Sequence, residues 1–181
     1  TSEILVETRK AEQLQAAEVL GLKEVVFLGY EDSILEPSIA LRKDITVQIR
    51  KHKPDILICM YPMRKLTGNG YIGHPDHIAS GEAAMAAVFP TARDRLTFPD
   101  LLEQGLDPHK VKELWVMGSE LAEEYVDVTE TIEIAIQALQ KHASQIQNME
   151  DVANHMREWR TKNGESVNMR YAEKFHAFDL S

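Results

Sequence analysis

Two short apolar runs alternate with longer helical patterns in the first third of the chain, and this alternation strongly constrains the fold. The runs are EVVFLG, residues 24–29, and DILICM, residues 55–60. Patterns typical of helices precede them at residues 1–20 and 39–52. Short strands that are apolar on both faces are typical of parallel sheets built from βαβ units. The sequence therefore predicts an α/β fold with a mostly parallel sheet.

The remaining chain continues this pattern without a repeat or a linker. We expect residues 1–181 to form a single domain, since this length suits one hydrophobic core. The segment 89–110 is long and contains prolines, which predicts a loop with a helical turn, placed where it could cover a site. Further helices are predicted at 76–88, 130–142 and 148–161, and further strands at 112–118 and 124–129.

Composition excludes several classes of function. The formal net charge is −9 and the pI is near 5.3, so no basic surface is expected to bind a nucleic acid. The single cysteine, Cys59, excludes an intramolecular disulfide and favours a cytoplasmic location. No apolar run approaches the roughly 18–20 residues that a membrane-spanning helix needs.

The motif GHPDH, residues 73–77, combines a turn, a helix start and two histidines. Pro75 suits the first helical position, which places His74 at the cap and His77 one turn into the helix. Residues three apart share a helix face, so both imidazoles can face one cleft. The helix N-terminus adds a positive potential that favours an anion there.

This histidine pair alone permits more than one interpretation. Two histidines at a helix start are often only solvated or capping groups. A catalytic zinc ion usually has three protein ligands, and this pair supplies at most two, or one ligand and one acid–base group. The sequence contains no HExxH motif and no cysteine pair that could supply the others.

The order of several segments resembles the LmbE-like, or PIG-L, family of zinc-dependent N-deacetylases. The resemblance implies a Rossmann-like three-layer sandwich and a zinc-dependent enzyme that removes the acetyl group of an N-acetylglucosamine conjugate. The partner would be a small N-acetylated sugar conjugate, with a homo-oligomer left open. The matching segments are TRKAEQLQAAEVLG, VVFLGYEDSIL, RKHKPDILI, GHPDHIASGEAA, ELWVMG and YVDVTETIEIAIQALQKHASQ.

The resemblance also implies roles for individual residues. His77 resembles a zinc ligand, and His74 resembles the group that stabilises the oxyanion and gives a proton to the leaving amine. Asp76 resembles the carboxylate that orients and charges His74. For substrate binding, the resemblance implies Arg9, Asp32 and Tyr71, although Tyr71 stands one residue further from the histidine than is common.

One departure from the family leaves a second interpretation open. The family opens with a strand that ends in an AHPDD-type motif, which supplies two further zinc ligands and the general base. This sequence has no such motif. We therefore expect the first strand–helix–strand unit to be missing and the chain to be incomplete. The alternative is a non-catalytic remnant, or a binding or assembly subunit on the same fold.

Overall fold

The computed structural model describes residues 2–64, 66 and 72–181, which contain both helices and strands. No helix in these ranges is both long enough and apolar enough to cross a membrane. The helices are α1 (Ser2–Leu20), α2 (Ile39–His52), α3 (Pro75–Ala86), α4 (Asp100–Glu103), α5 (Ile132–Gln140) and α6 (Met149–Gly164). The strands are β1 (Ile56–Met60), β2 (Glu113–Met117), β3 (Glu124–Asp127) and β4 (Ala172–Asp179).

The four strands form one sheet in the order β1-β2-β4-β3. β1 and β2 are parallel, with Ile58 opposite Trp115. β4 runs antiparallel to β2, with Ala177 opposite Trp115. The α/β prediction is confirmed. The mostly parallel character is not, because the described pairings include both directions.

Backbone contacts divide the chain into two compact units. The terminal unit comprises Thr1–Phe27 and Tyr125–Glu173, and the central unit comprises Leu28–Glu124 and Lys174–Ser181. The single-domain organisation stays a prediction, since it concerns whether these units fold separately.

The terminal unit is helical. α1 and α5 pack together, as do α5 and α6. Its core contains Ile132, Ile136 and Ala153. The α1 carboxylate of Glu12 accepts hydrogen bonds from the backbone N–H and the hydroxyl of Ser144, at 2.6 and 2.7 Å. This pair ties α1 to the turn that follows α5.

The central unit buries one face of β1 and β2 under α2 and α3. Cys59 on β1 and Leu114 and Val116 on β2 belong to this core, together with Ile49 of α2 and Ala84 of α3. Burial raises the pKa of the Cys59 thiol to about 11, so the thiol stays protonated. The cysteine therefore acts as a small apolar core residue, as its position in an apolar run predicts.

Two parts of the sheet differ from the sequence prediction. Residues 24–29 form no strand, and Val26 and Phe27 remain 41% and 44% exposed. A strand requires a neighbouring backbone to pair with, and none of the described strands lies beside this run. The opposite error concerns the tail, where β4 forms although the sequence pattern predicts no strand.

The segment 89–110 contains the short helix α4 and is organised around one buried side chain. Arg50 is 1% exposed, and its guanidinium donates hydrogen bonds to five backbone carbonyl groups of this segment. Desolvation lowers the pKa of Arg50 from its usual value. The five carbonyl groups accept the hydrogen bonds that an exposed guanidinium would donate to water. These carbonyl groups belong to Thr91, Ala92, Asp94, Thr97 and Leu106. The covering role of the segment stays a prediction.

α3 approaches the carboxyl end of β1 at Gly81. A Cβ atom built at Gly81 would lie 2.2 Å from the carbonyl oxygen of Met60, which is far closer than atoms can approach. Glycine at this position therefore lets the helix lie against the end of the strand. This contact places the helix, and with it the GHPDH motif, relative to β1.

Gly81→Ala should destabilise the protein by about 1–3 kcal/mol, the usual cost of overpacking. In an exposed helix the same change would stabilise by up to about 1 kcal/mol, so the sign of the effect tests the close approach. Urea unfolding of the variant measures it, with Glu82→Ala, at the exposed neighbouring position on α3, as the control. A stabilised Gly81→Ala protein would contradict the described packing.

Candidate active site

The GHPDH motif starts α3 as the sequence predicts. Gly73 has a φ of 88°, which is readily accessible to glycine and turns the chain into the helix. His74 is the N-cap residue with an extended backbone, and Pro75 is the first helical residue. His77 follows one turn later, with its N–H donating to the His74 carbonyl oxygen at 3.1 Å.

The His74 side chain caps the helix. Its Nδ1 accepts a hydrogen bond from the backbone N–H of Asp76 at 3.2 Å. A nitrogen that accepts a hydrogen bond carries no proton, so in the neutral imidazole the proton lies on Nε2. Nε2 of His74 is then a hydrogen-bond donor and has no free lone pair for a metal ion.

The His77 ring lies beside the His74 ring. Their centroids are 5.3 Å apart and the ring planes are inclined by 40°. His77 is exposed, whereas the His74 side chain is 38% exposed. The two imidazoles therefore lie side by side at the helix N-terminus, and that they face one cleft stays a prediction.

The Asp76 carboxylate holds a distant loop. Oδ2 accepts a hydrogen bond from the backbone N–H of Ser33 at 2.7 Å, and Oδ1 accepts one from the N–H of Leu35 at 3.3 Å. The same carboxylate lies 3.9 Å from Nδ1 of His74, which is beyond hydrogen-bond distance. In this structure the backbone of Asp76 orients His74, while the side chain of Asp76 fixes the loop. The Asp76 side chain is only 16% exposed, and the bond from Leu35 is partly buried, whereas the bond from Ser33 is exposed.

This contact brings Asp32 to the helix. One potential ligand atom from each of Asp32, His74 and Asp76 lies within 4.8 Å of the others. The loop at residues 30–35 and the motif therefore lie together, although residues 24–29 form no strand. Ser33, which follows Asp32 in this loop, has a φ of 72°, a left-handed conformation that is costly for serine.

The other two predicted substrate residues are Arg9 and Tyr71. Arg9 is an exposed residue of α1 in the terminal unit. Tyr71 lies outside the described residues. The roles of all six predicted site residues stay predictions, because no ligand bound to the protein tests them.

The loop amides of Ser33 and Leu35 were not predicted as part of the site. A backbone N–H is present at nearly every position, so no residue type marks the ones that a carboxylate will bind. The only local signal is the polar, turn-forming composition of YEDS at residues 30–33.

The donor types at this cluster fit zinc. The described residues, however, supply only part of a set of zinc ligands. Imidazole nitrogen and carboxylate oxygen are ordinary zinc ligands. His74 nonetheless uses its Nδ1 in the helix cap, and both Asp76 oxygens accept backbone N–H groups. His77 lies next to His74 at the same helix start and takes no part in the cap.

Comparison with known families supports a deacetylase relationship. The profile of the family described as "PIG-L: GlcNAc-PI de-N-acetylase" matches residues 1–88. A diacetylchitobiose deacetylase from Thermococcus kodakarensis is 31% identical over 137 residues, covering 76% of this chain and 49% of that protein. A probable N-acetyl-alpha-D-glucosaminyl L-malate deacetylase 2 from Bacillus anthracis is 30% identical over 153 residues, covering 80% and 59%. The chain thus spans 49% and 59% of the length of these two relatives.

Comparison with solved structures supports the same fold. An N,N'-diacetylchitobiose deacetylase from Pyrococcus horikoshii, solved with its inhibitor MPG, superposes with a TM-score of 0.88 at 26% identity. The match covers 99% of this chain and 66% of that one. This chain therefore shares the α/β fold of that deacetylase structure.

Replacing Asp76 with alanine should release the loop at Ser33 and Leu35. A hydrogen bond to a charged group contributes about 1.5–3 kcal/mol, so exchange of these two amide hydrogens should accelerate about tenfold to a hundredfold. Amide hydrogen exchange followed by NMR measures the change.

Asp44→Ala is the matched control, because Asp44 accepts a hydrogen bond from the Tyr30 hydroxyl at the start of the same loop. That variant should leave the Ser33 and Leu35 amides protected. Unchanged exchange in Asp76→Ala would show that the carboxylate does not hold the loop.

Proposed function

Because the chain belongs to the PIG-L (LmbE-like) family, we propose that the gene product containing it hydrolyses the N-acetyl group of an N-acetylglucosamine-type conjugate with the help of zinc. The products are acetate and a free amine. The observation that carries this proposal is the placement of His74, whose Nδ1 accepts the Asp76 N–H, and an exposed His77 together at the N-terminus of α3, beside Asp32.

His74 suits the stabilisation of the oxyanion. Its Nε2–H can donate to the amide carbonyl oxygen as that oxygen gains negative charge. The helix cap holds the ring in this tautomer before the substrate arrives, so little reorganisation is needed. The positive potential of the α3 N-terminus acts in the same direction.

Asp76 suits the second role of His74, which is proton delivery to the leaving amine. A charged His74 carries a proton on both nitrogens and can no longer accept the Asp76 N–H. Its Nδ1–H then has the Asp76 carboxylate 3.9 Å away, where a small ring rotation would form a charge-assisted hydrogen bond. The Nε2 proton passes to the amine nitrogen as the carbon–nitrogen bond breaks.

His77 is the proposed metal ligand of this chain. It is exposed at the helix N-terminus next to His74, and its ring nitrogens are not used in the helix cap. Zinc, when bound, supplies a water of lowered pKa and a Lewis acid for the substrate carbonyl group. Arg9, Asp32 and Tyr71 are proposed to contact the substrate, and the cytoplasmic location stays a prediction.

Two histidine variants separate the metal role from the proton role. His77→Ala should lose most of the zinc of the purified gene product. His74→Asn should keep the zinc and the helix cap, because asparagine is a favourable N-cap residue. It should nevertheless lower kcat by about 10²–10⁴-fold, the usual contribution of an acid–base group. Metal analysis and acetate release from N-acetylglucosamine conjugates measure these effects.

His155→Ala provides the control, since His155 is an exposed histidine of α6 in the terminal unit. It should change neither the zinc content nor the turnover. Unchanged zinc in His77→Ala would refute the ligand assignment. The absence of acetate release by the zinc-loaded gene product would favour a binding or assembly role for this fold.

A further inference from the structure

Resting on the proposed function, we propose that a cavity beside Asp32 is a substrate subsite that accepts an uncharged sugar ring and disfavours a carboxylate-bearing group. The cavity has a volume of about 290 Å³ and belongs to the central unit. Its lining consists of Tyr30, Glu31, Ile34, Leu35, Glu36 and Ser38.

The position of the cavity links it to the candidate site. Its lining residues flank Asp32 and Ser33 on both sides along one loop, and adjacent Cα atoms lie only about 3.8 Å apart. Leu35 lines the cavity and also donates its N–H to the Asp76 carboxylate. The contact that fixes Asp32 at the helix therefore also fixes one wall of the cavity. A substrate whose acetamide group lies at His74 has its neighbouring group close to this loop.

The lining chemistry suits a sugar ring. Tyr30 and Ile34 are exposed and offer the apolar surface against which the C–H groups of a sugar can pack. The Tyr30 ring is fixed, because its hydroxyl donates to the Asp44 carboxylate at 2.7 Å. Glu31 and Glu36 are exposed and bring carboxylate oxygens that can accept hydrogen bonds from sugar hydroxyls. The volume suits a group of about the size of one ring, since whole ligand pockets start at about 300 Å³.

The charge of the lining gives the subsite its selectivity. Glu31 and Glu36 are both acidic, and the described lining contains no lysine, arginine or histidine. A ligand carboxylate in the cavity would therefore meet like charges without a compensating cation. Such repulsion weakens the binding of a carboxylate-bearing group and leaves the affinity of the cavity for an uncharged sugar ring unchanged.

A pair of substrates that differ by two negative charges and two methyl groups tests this inference, with the charge variants below isolating the effect of charge. These are N-acetylglucosaminyl malate and its dimethyl ester, compared by kcat/KM in the zinc-loaded gene product. The wild-type protein should prefer the ester. Glu31→Gln/Glu36→Gln should reduce that preference by about three- to tenfold, since exposed charges interact weakly. Glu36→Lys reverses the charge at this position and should reduce the preference for the ester further.

The matched control is Glu103→Gln/Glu130→Gln, which removes the same charge at two exposed positions outside the cavity. This variant should keep the wild-type preference. An equal change in the control and the cavity variant would overturn the inference, because the effect would then come from net charge alone. An unchanged preference in the cavity variant would overturn it as well.

Direct binding separates this inference from the proposed reaction. Titration of the chain with N,N'-diacetylchitobiose, followed by NMR, should shift the Ile34 and Leu35 amide signals even in protein that releases no acetate. Shifted Ile34 and Leu35 amide signals without acetate release would support the subsite and contradict the proposed reaction. Acetate release without shifts at these amides would support the reaction and contradict the subsite.

Discussion

The candidate site depends on one residue that forms hydrogen bonds in two directions. The backbone N–H of Asp76 binds Nδ1 of His74, and its carboxylate binds the N–H groups of Ser33 and Leu35. The first bond fixes the imidazole tautomer, and the second brings in a loop more than 40 residues away in sequence. Asp76 thus sets His74, the proposed proton donor, relative to the loop that is proposed to bind substrate.

The fold supports this arrangement by placing the middle of α3 against the end of β1. The close approach at Gly81 leaves no room for a side chain between the helix and the Met60 carbonyl group. The buried residues of α3 include Ala83 and Ala84, whose small side chains permit close packing of the helix. A helix held this closely presents its N-terminal turn at a defined position, as a proton donor and its cap require.

The sequence was sufficient for the local structure and insufficient for the pairing of distant segments. The bounds of α2, at Ile39–His52, agree with the prediction because Ser38 caps the helix and Pro54 prevents its extension. The extra strand β4 was missed because AEKFHAFD has few β-branched residues, and its strand conformation comes from pairing with β2. In the site, the motif itself predicts the positions of His74 and His77, since they depend on helix geometry alone. The bonds from Asp76 to the loop were not predictable, because backbone N–H groups leave no mark in a sequence.

The central claim is that the cap fixes His74 with its proton on Nε2. The most direct measurement is the pair of imidazole ¹⁵N chemical shifts of His74, recorded by long-range ¹H–¹⁵N correlation in alkaline solution, where the ring is neutral. The account predicts an unprotonated Nδ1 and a protonated Nε2. In His74 of the Asp76→Ala variant the same pattern should persist, because the cap uses the backbone. A His74 ring with its proton on Nδ1 would contradict the account.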